Sequence, residues 1–106
     1  MDARIRELLR EFHAQLEGIY GPRLRGVYLF GSYARGEADE ESDVDVLVVL
    51  DDYEGYGQQI DQTSQVVSDL SLKYGVSVSR VFMRERDWRH GDTPFLLNVR
   101  EEAVPA

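Results

Sequence analysis

The chain has 106 residues, of which 42% are hydrophobic and 30% charged, and its formal net charge at pH 7 is −8. This length and composition predict one globular domain, residues 1–106. The sequence contains no cysteine, which excludes disulfides, thiolate metal sites and cysteine nucleophiles. Direct bulk binding of nucleic acid is not expected, because phosphate backbones require a basic protein surface.

The first element predicted in chain order is an amphipathic helix. Its apolar residues recur at helical spacing and form one stripe: Ile5, Leu8, Leu9, Phe12, Leu16 and Ile19. Asp2 has the chemistry of an N-cap, and Gly21 followed by Pro22 ends the helix. The apolar run 27–30 then predicts a buried strand that ends in a tight turn at Gly31.

The residues from Val44 onward predict two further strands and two helices. The continuous β-branched run 44–50 is typical of a central strand covered on both faces. Helical spacing over residues 60–74 predicts a helix capped by Gly75, and a third strand follows over 76–83. Thr93 and Pro94 open a final short helix. We therefore expect an α/β domain with about three core strands.

A glycine–serine pair stands where the first strand ends. Gly31 allows close approach of a ligand, and the amides after it, together with the Ser32 hydroxyl, can hold phosphate oxygens at a helix N-terminus. Arg35, one turn further on, can add guanidinium donors to the same phosphates. Gly36 is followed by glutamate and alanine, not by lysine and serine or threonine, which excludes a P-loop.

Two aspartates precede and enter the central strand. Positions i and i+2 of a strand point to the same face, so Asp43 and Asp45 are expected to project side by side. Carboxylate oxygens suit Mg²⁺ or Mn²⁺, which bridge to phosphates. The alternative is that both aspartates are turn residues that cap the strand with help from Ser42.

Together these residues resemble the nucleotidyltransferase superfamily of DNA polymerase β. The shared pattern is Gly-Ser, an arginine three residues after the serine, a glycine, and Ser-Asp-x-Asp running into an apolar strand. The chain has no second domain, and in this it is similar to the minimal nucleotidyltransferase (MNT) branch. The resemblance implies an α/β (α+β) fold with a small mixed sheet flanked by helices. It also implies that Gly31 and Ser32 bind the triphosphate and that Asp43 and Asp45 hold the metals.

The same resemblance implies a reaction and a partner. Such domains transfer a nucleoside monophosphate from a nucleoside triphosphate to a hydroxyl, through two-metal phosphoryl transfer. Here the expected donor is ATP with Mg²⁺. The chain is too short to build an acceptor pocket of its own, so we expect the acceptor on a partner protein. Minimal domains of this kind are commonly paired with HEPN-type proteins in toxin–antitoxin modules, which implies that this chain is the antitoxin.

One departure from the family pattern puts catalysis in question. Complete relatives carry a third carboxylate on the next core strand, and the position here falls on Ser77 or Ser79. Glu85 has the right parity but lies ~20 Å past Ser79 along an extended strand. The competing hypothesis is a binding module that retains the fold and neutralises its partner by contact alone.

The sequence also bears on where in the cell the protein is expected. The longest apolar run, Val46–Leu50, is far below the ~20 residues that span a bilayer, and charges occupy the N-terminus where a signal peptide needs its apolar core. We expect no membrane association and a cytoplasmic protein.

Tyr33 can either stack on a nucleobase or fill the core beneath the loop.

Overall fold

One mixed sheet contains all four strands of the computed structural model, which describes residues 2–106. In chain order the strands are β1 (Leu24–Phe30), β2 (Val44–Leu50), β3 (Val78–Arg84) and β4 (Val104–Pro105). Their order across the sheet is β3-β2-β1-β4. β2 is antiparallel to β1 and parallel to β3, and β4 is antiparallel to β1. The mixed sheet expected from the family resemblance is confirmed.

The helices divide between the two faces of the sheet. In chain order they are α1 (Ala3–Tyr20), α2 (Ser32–Arg35), α3 (Tyr56–Tyr74), α4 (Glu85–His90) and α5 (Pro94–Glu102), and a 3-10 turn covers Gly21–Arg23. Long helices α1 and α3 bury their apolar stripes on one face, against Val46, Val48 and Phe82. The short C-terminal helices cover part of the other face. No helix formed by residues 2–106 is long and apolar enough to span a membrane.

The predicted helix signals are confirmed at the residue level. The Asp2 carboxylate accepts a hydrogen bond from the Arg4 amide at 2.8 Å and so caps α1. Gly75 ends α3 with φ +65°, and the Thr93 hydroxyl caps α5. The prediction of the apolar stripe of α1 is wrong at its last position, since Ile19 is 37% exposed and Tyr20 is buried in its place. A spacing of four residues from Leu16 to Tyr20 follows the 3.6-residue turn of the helix more closely than a spacing of three.

The C-terminal third differs most from the sequence-based expectation. β3 begins at Val78, two residues later than predicted, because Gly75 and the two residues after it form the turn. The charged segment 85–90 forms α4, whose Trp88 packs on Tyr28 with ring centroids 4.8 Å apart. The prediction of about three strands missed β4, which adds two residues to the edge of β1. A two-residue strand has no periodicity that a sequence pattern can reveal.

Candidate nucleotide and metal site

The antiparallel pairing of β1 and β2 brings the glycine–serine turn and the aspartate pair together. Phe30, the last residue of β1, lies opposite Asp45 in β2, so Gly31 follows directly beside that carboxylate. α2 covers Ser32–Arg35 and is followed by its C-cap Gly36, whose φ of +72° turns the chain back toward β2. As the sequence predicts, β2 starts at Val44, so Asp43 immediately precedes the strand and Asp45 is its second residue.

Gly31 is the residue that permits this close approach. Its φ is +79°, a region that disfavours side chains, and the residue is buried. A Cβ atom placed on Gly31 would collide with the Oδ2 atom of Asp45 and would lie 3.1 Å from its Cγ. Backbone conformation and space both require glycine, as expected for a backbone that carries a ligand site.

The two aspartates share a local electrostatic environment. Asp45 is half-buried and Asp43 is exposed. Burial raises the pKa of the Asp45 carboxyl above its ordinary value of 3.8, and the nearby charge of Asp43 raises it further, while Arg35 opposes the shift. Within residues 2–106 neither carboxylate has a hydrogen-bonding or ion-pairing partner. Repulsion from Asp43 therefore adds to the rise in the pKa of Asp45, although burial is the larger cause.

This donor set fits a divalent cation that arrives with phosphates. Residues 2–106 contain no group of three or more His, Cys, Asp or Glu side chains arranged to hold a metal ion. Mg²⁺ is usually bound through one or two carboxylates, with substrate phosphates and water completing its six ligands. Asp43 and Asp45 supply that number of carboxylates. The alternative of a strand cap involving Ser42 has less support, because the Ser42 hydroxyl pairs with Asp39, at 3.2 Å from Oδ1.

The β3 strand presents a hydroxyl beside Asp45. Ser79 lies opposite Asp45 in the parallel register of β2 and β3, while the Ser77 carbonyl accepts the Val44 amide at 2.9 Å. Of the two serines that the sequence left open, Ser79 is thus the cross-strand neighbour of the strand aspartate. Glu85 begins α4 beyond the opposite end of β3 and pairs with Arg89, far from Asp45 along the strand.

Arg35 reaches toward the site but has acidic partners of its own. Its Nη1 donates to Oε2 of Glu102 at 3.0 Å, and its Nε donates to Oε2 of Glu37 at 3.1 Å. The other Glu102 oxygen accepts the Gly31 amide at 3.1 Å. No sequence pattern points to Glu102, because it lies 71 residues from Gly31 at the end of a short helix. The Ser32 hydroxyl forms no hydrogen bond with residues 2–106.

An open cleft of about 670 Å³ lies beside these groups, within the usual size range of small-molecule sites. Its walls include Phe30, Gly31, Arg35, Phe95 and Asn98. The rings of Phe30 and Phe95 meet edge to face at 5.9 Å, and Phe95 is 44% exposed. Tyr33 does not line this cleft; it is half-buried against the core, in agreement with the core-filling alternative.

Comparison with known proteins agrees with the fold and the motif. The family described as "Nucleotidyltransferase domain" matches residues 5–97. A Methanocaldococcus jannaschii protein, named as a candidate protein adenylyltransferase, is 38% identical over 100 residues, which cover 89% of this chain and 89% of the relative. A solved structure of a candidate minimal nucleotidyltransferase is 28% identical, has a TM-score of 0.68, and matches 100% of this chain and 97% of its own.

A more distant solved structure shares the fold. It contains a tri-AMPylated Shewanella oneidensis HEPN toxin in complex with an MNT antitoxin; the match has 22% identity and a TM-score of 0.52, and covers 96% of this chain and 65% of that one. The family match spans most of the chain and includes the whole Gly31–Asp45 segment. This chain belongs to the nucleotidyltransferase domain family, and over its whole length it is similar to a minimal (MNT) member.

Proposed function

We propose that this domain binds ATP with Mg²⁺ (or Mn²⁺) and transfers AMP to a hydroxyl group of a partner protein. The observation that carries the proposal is the juxtaposition of Gly31 and Asp45, in which a buried glycine amide and a carboxylate without a protein partner meet at one strand end. Phosphate groups and a divalent cation are the ligands that this combination of donors and acceptors suits.

The roles of the residues follow from their positions. Gly31, Ser32 and Arg35 bind the triphosphate through an amide, a hydroxyl and a guanidinium, and Asp43 and Asp45 hold the cation. The bound cation supplies charge neutralisation at the phosphates and activation of the attacking hydroxyl oxygen. In the transfer, an oxygen–phosphorus bond forms at the α-phosphate, the bond to the β-phosphate breaks and pyrophosphate leaves. The hydroxyl proton passes to solvent, because Ser79 is a poor base at neutral pH.

The acceptor is a HEPN-type protein, with this chain as the antitoxin of the pair. The names of two similar proteins support this choice, one as a candidate protein adenylyltransferase and one as an MNT antitoxin bound to an AMPylated HEPN toxin. The negative charge of the chain suits a partner with a basic surface. ATP as the donor fits a cytoplasmic site of action.

Intact-mass measurement of the partner tests the proposal. A HEPN-type protein is incubated with this chain, Mg²⁺ and ATP, and a mass gain of one or more adenylyl groups is expected. Asp45→Asn abolishes the gain, whereas Asp61→Asn, which removes the same charge from the exposed surface of α3, leaves it unchanged. Absence of any nucleotide-sized mass gain with every nucleoside triphosphate would overturn the enzymatic proposal.

A second candidate function rests on Ser79. Because a hydroxyl stands beside Asp45 where complete relatives carry an acid, the domain is also consistent with a module that neutralises its partner by contact alone. The variant Asp43→Asn/Asp45→Asn separates the two functions. Neutralisation of the partner that survives this variant, while binding of Mg²⁺ with ATP is lost, would support contact alone.

A further inference from the structure

The Glu102 carboxylate already occupies the donors that the proposed function assigns to phosphate. Oε1 of Glu102 lies 3.1 Å from the Gly31 nitrogen, and Oε2 lies 3.0 Å from Nη1 of Arg35. A backbone amide and a guanidinium are together a typical anion-binding pair. The structure therefore contains an anion site, and the anion in it belongs to the protein.

The fold holds Glu102 at this site through the segment that follows it. Glu102 is the last residue of α5, and two residues later Val104 pairs with Leu29 of β1. The Ala103 amide donates to the Val99 carbonyl at 2.8 Å, and Ala103 packs against the core under α5. The Glu102 side chain is only 21% exposed. Its backbone is thus anchored on both sides, while its side chain lies at the open edge of the cleft.

The Glu102 carboxylate in this position repels the negative charge of Asp45. The Glu102 charge is close enough to raise the pKa of Asp45, in the same direction as the charge of Asp43. The Arg35 guanidinium already pairs with Glu102 and Glu37, and the Asp45 carboxylate lies near it as well. A Gly31 amide that donates to Glu102 is not free to donate to a phosphate oxygen, since one N–H group forms one strong hydrogen bond.

We propose that Glu102 is a resident competitor for the phosphate site, which the triphosphate must displace from Gly31 and Arg35 to bind. Displacement requires only a change of side-chain rotamer, because β4 and α5 keep their positions. Glu102 then sets the affinity for the triphosphate and keeps Arg35 paired when no nucleotide is present. This inference rests on the proposed assignment of Gly31 and Arg35 to phosphate.

Calorimetric titration with Mg²⁺ and inorganic tripolyphosphate tests the competition without requiring any reaction. Glu102→Gln keeps the size and removes the charge, and is expected to bind tripolyphosphate about tenfold more tightly than the wild type. Glu101→Gln is the matched control, because Glu101 is exposed and lines the same cleft, has no hydrogen bond to Gly31 or Arg35, and its loss changes the net charge equally. Equal gains in the two variants, or unchanged or weaker binding by Glu102→Gln, would overturn the proposal.

A measurement on the wild-type protein gives an independent check. In NMR titrations with Mg²⁺ and tripolyphosphate, the Gly31 amide and the Glu102 side-chain carboxyl resonances are expected to shift together with one midpoint. A shifted Gly31 amide with an unshifted Glu102 carboxyl would contradict displacement. If the wild type binds tripolyphosphate but never AMPylates a partner, the proposed function fails and the competition stands. If no variant binds tripolyphosphate, the competition fails, and the mass gain of the partner protein still decides the proposed function.

Discussion

Ser79 and Asp45 are cross-strand neighbours in the parallel pair β2–β3, so a hydroxyl and a carboxylate lie on the same face of the sheet, at the end where Gly31 turns. An acid at position 79 would complete a set of three carboxylates with Asp43 and Asp45. This relationship links the metal-binding capacity of the site to one residue on a strand that is otherwise part of the core.

Ser79→Asp is expected to raise the rate of AMP transfer to the partner by at least about tenfold, because a positioned carboxylate accepts a proton far better than a serine. It is also expected to lower the melting temperature in EDTA, through repulsion from Asp45, with recovery on addition of Mg²⁺. Time-resolved intact mass and thermal melts measure the two effects. Ser77→Asp is the control, because Ser77 lies before β3 and outside its register with Asp45. Equal effects of the two substitutions would contradict the role assigned to the Ser79 position.

Gly31→Ala is expected to destabilise the protein more than Gly36→Ala. Both glycines have positive φ, +79° and +72°, so both variants carry the conformational cost of about 1 kcal/mol. Only at Gly31 does the new Cβ collide with the Asp45 carboxylate, which adds strain of about 1–3 kcal/mol. Urea denaturation of the two variants measures the difference. Similar free energies of unfolding would mean that Asp45 moves aside without cost.

Removal of the Asp45 charge is expected to stabilise the metal-free protein near neutral pH. The folded-state pKa of Asp45 lies above 3.8, so the unfolded chain releases this proton first, and stability falls as the pH rises through the folded-state value. Asp45→Asn therefore gains stability above that value, and the gain disappears as the pH falls below 3.8. Thermal melts in EDTA across this window measure it. A gain that grows toward acid pH would reverse the sign of the argument.

Glu102→Gln is expected to show the opposite pH dependence. Its hydrogen bond from Arg35 holds the pKa of Glu102 below 4.5, so the folded state gains stability from the charged form above that value. The variant loses this stability near neutral pH, and the loss disappears as the pH falls through the folded-state pKa. The same melts compare it with Glu101→Gln, which is expected to track the wild type. A loss that persists at low pH would indicate damage to packing.

Mg²⁺ and ATP are expected to stabilise the protein together and hardly at all separately. With two protein carboxylates, Mg²⁺ alone binds weakly and prefers to arrive with phosphates, and a ligand stabilises the fold only in proportion to its occupancy. Asp45→Asn is expected to remove the joint thermal shift and Ser32→Ala to reduce it, whereas Asp61→Asn is expected to retain it. An equal shift in the wild type and in Asp43→Asn/Asp45→Asn would identify the aspartates as a strand cap.

Local patterns in the sequence predicted most of the secondary structure and the residues of the candidate site. The apolar stripe of α1 as far as Leu16, the β-branched run of β2 and the glycine at the end of α3 each act within one element, and each is confirmed. The motif residues Gly31 and Asp45 could be named from the sequence because the family pattern places them within one short segment. The contact between their atoms depends on the antiparallel register of β1 and β2.

The sequence by itself determined the longer helices and the three core strands, the family and the motif residues, because hydrophobic periodicity and motif spacing are properties of neighbouring residues. Only the tertiary structure decided which residues from elsewhere complete the site. Ser79 rather than Ser77 faces Asp45 because of the register of a parallel strand pair that α3 connects. Glu102 reaches Gly31 because α5 and β4 return the chain to the edge of β1, 71 residues later. Contacts at such separations arise from packing, and no local pattern encodes them.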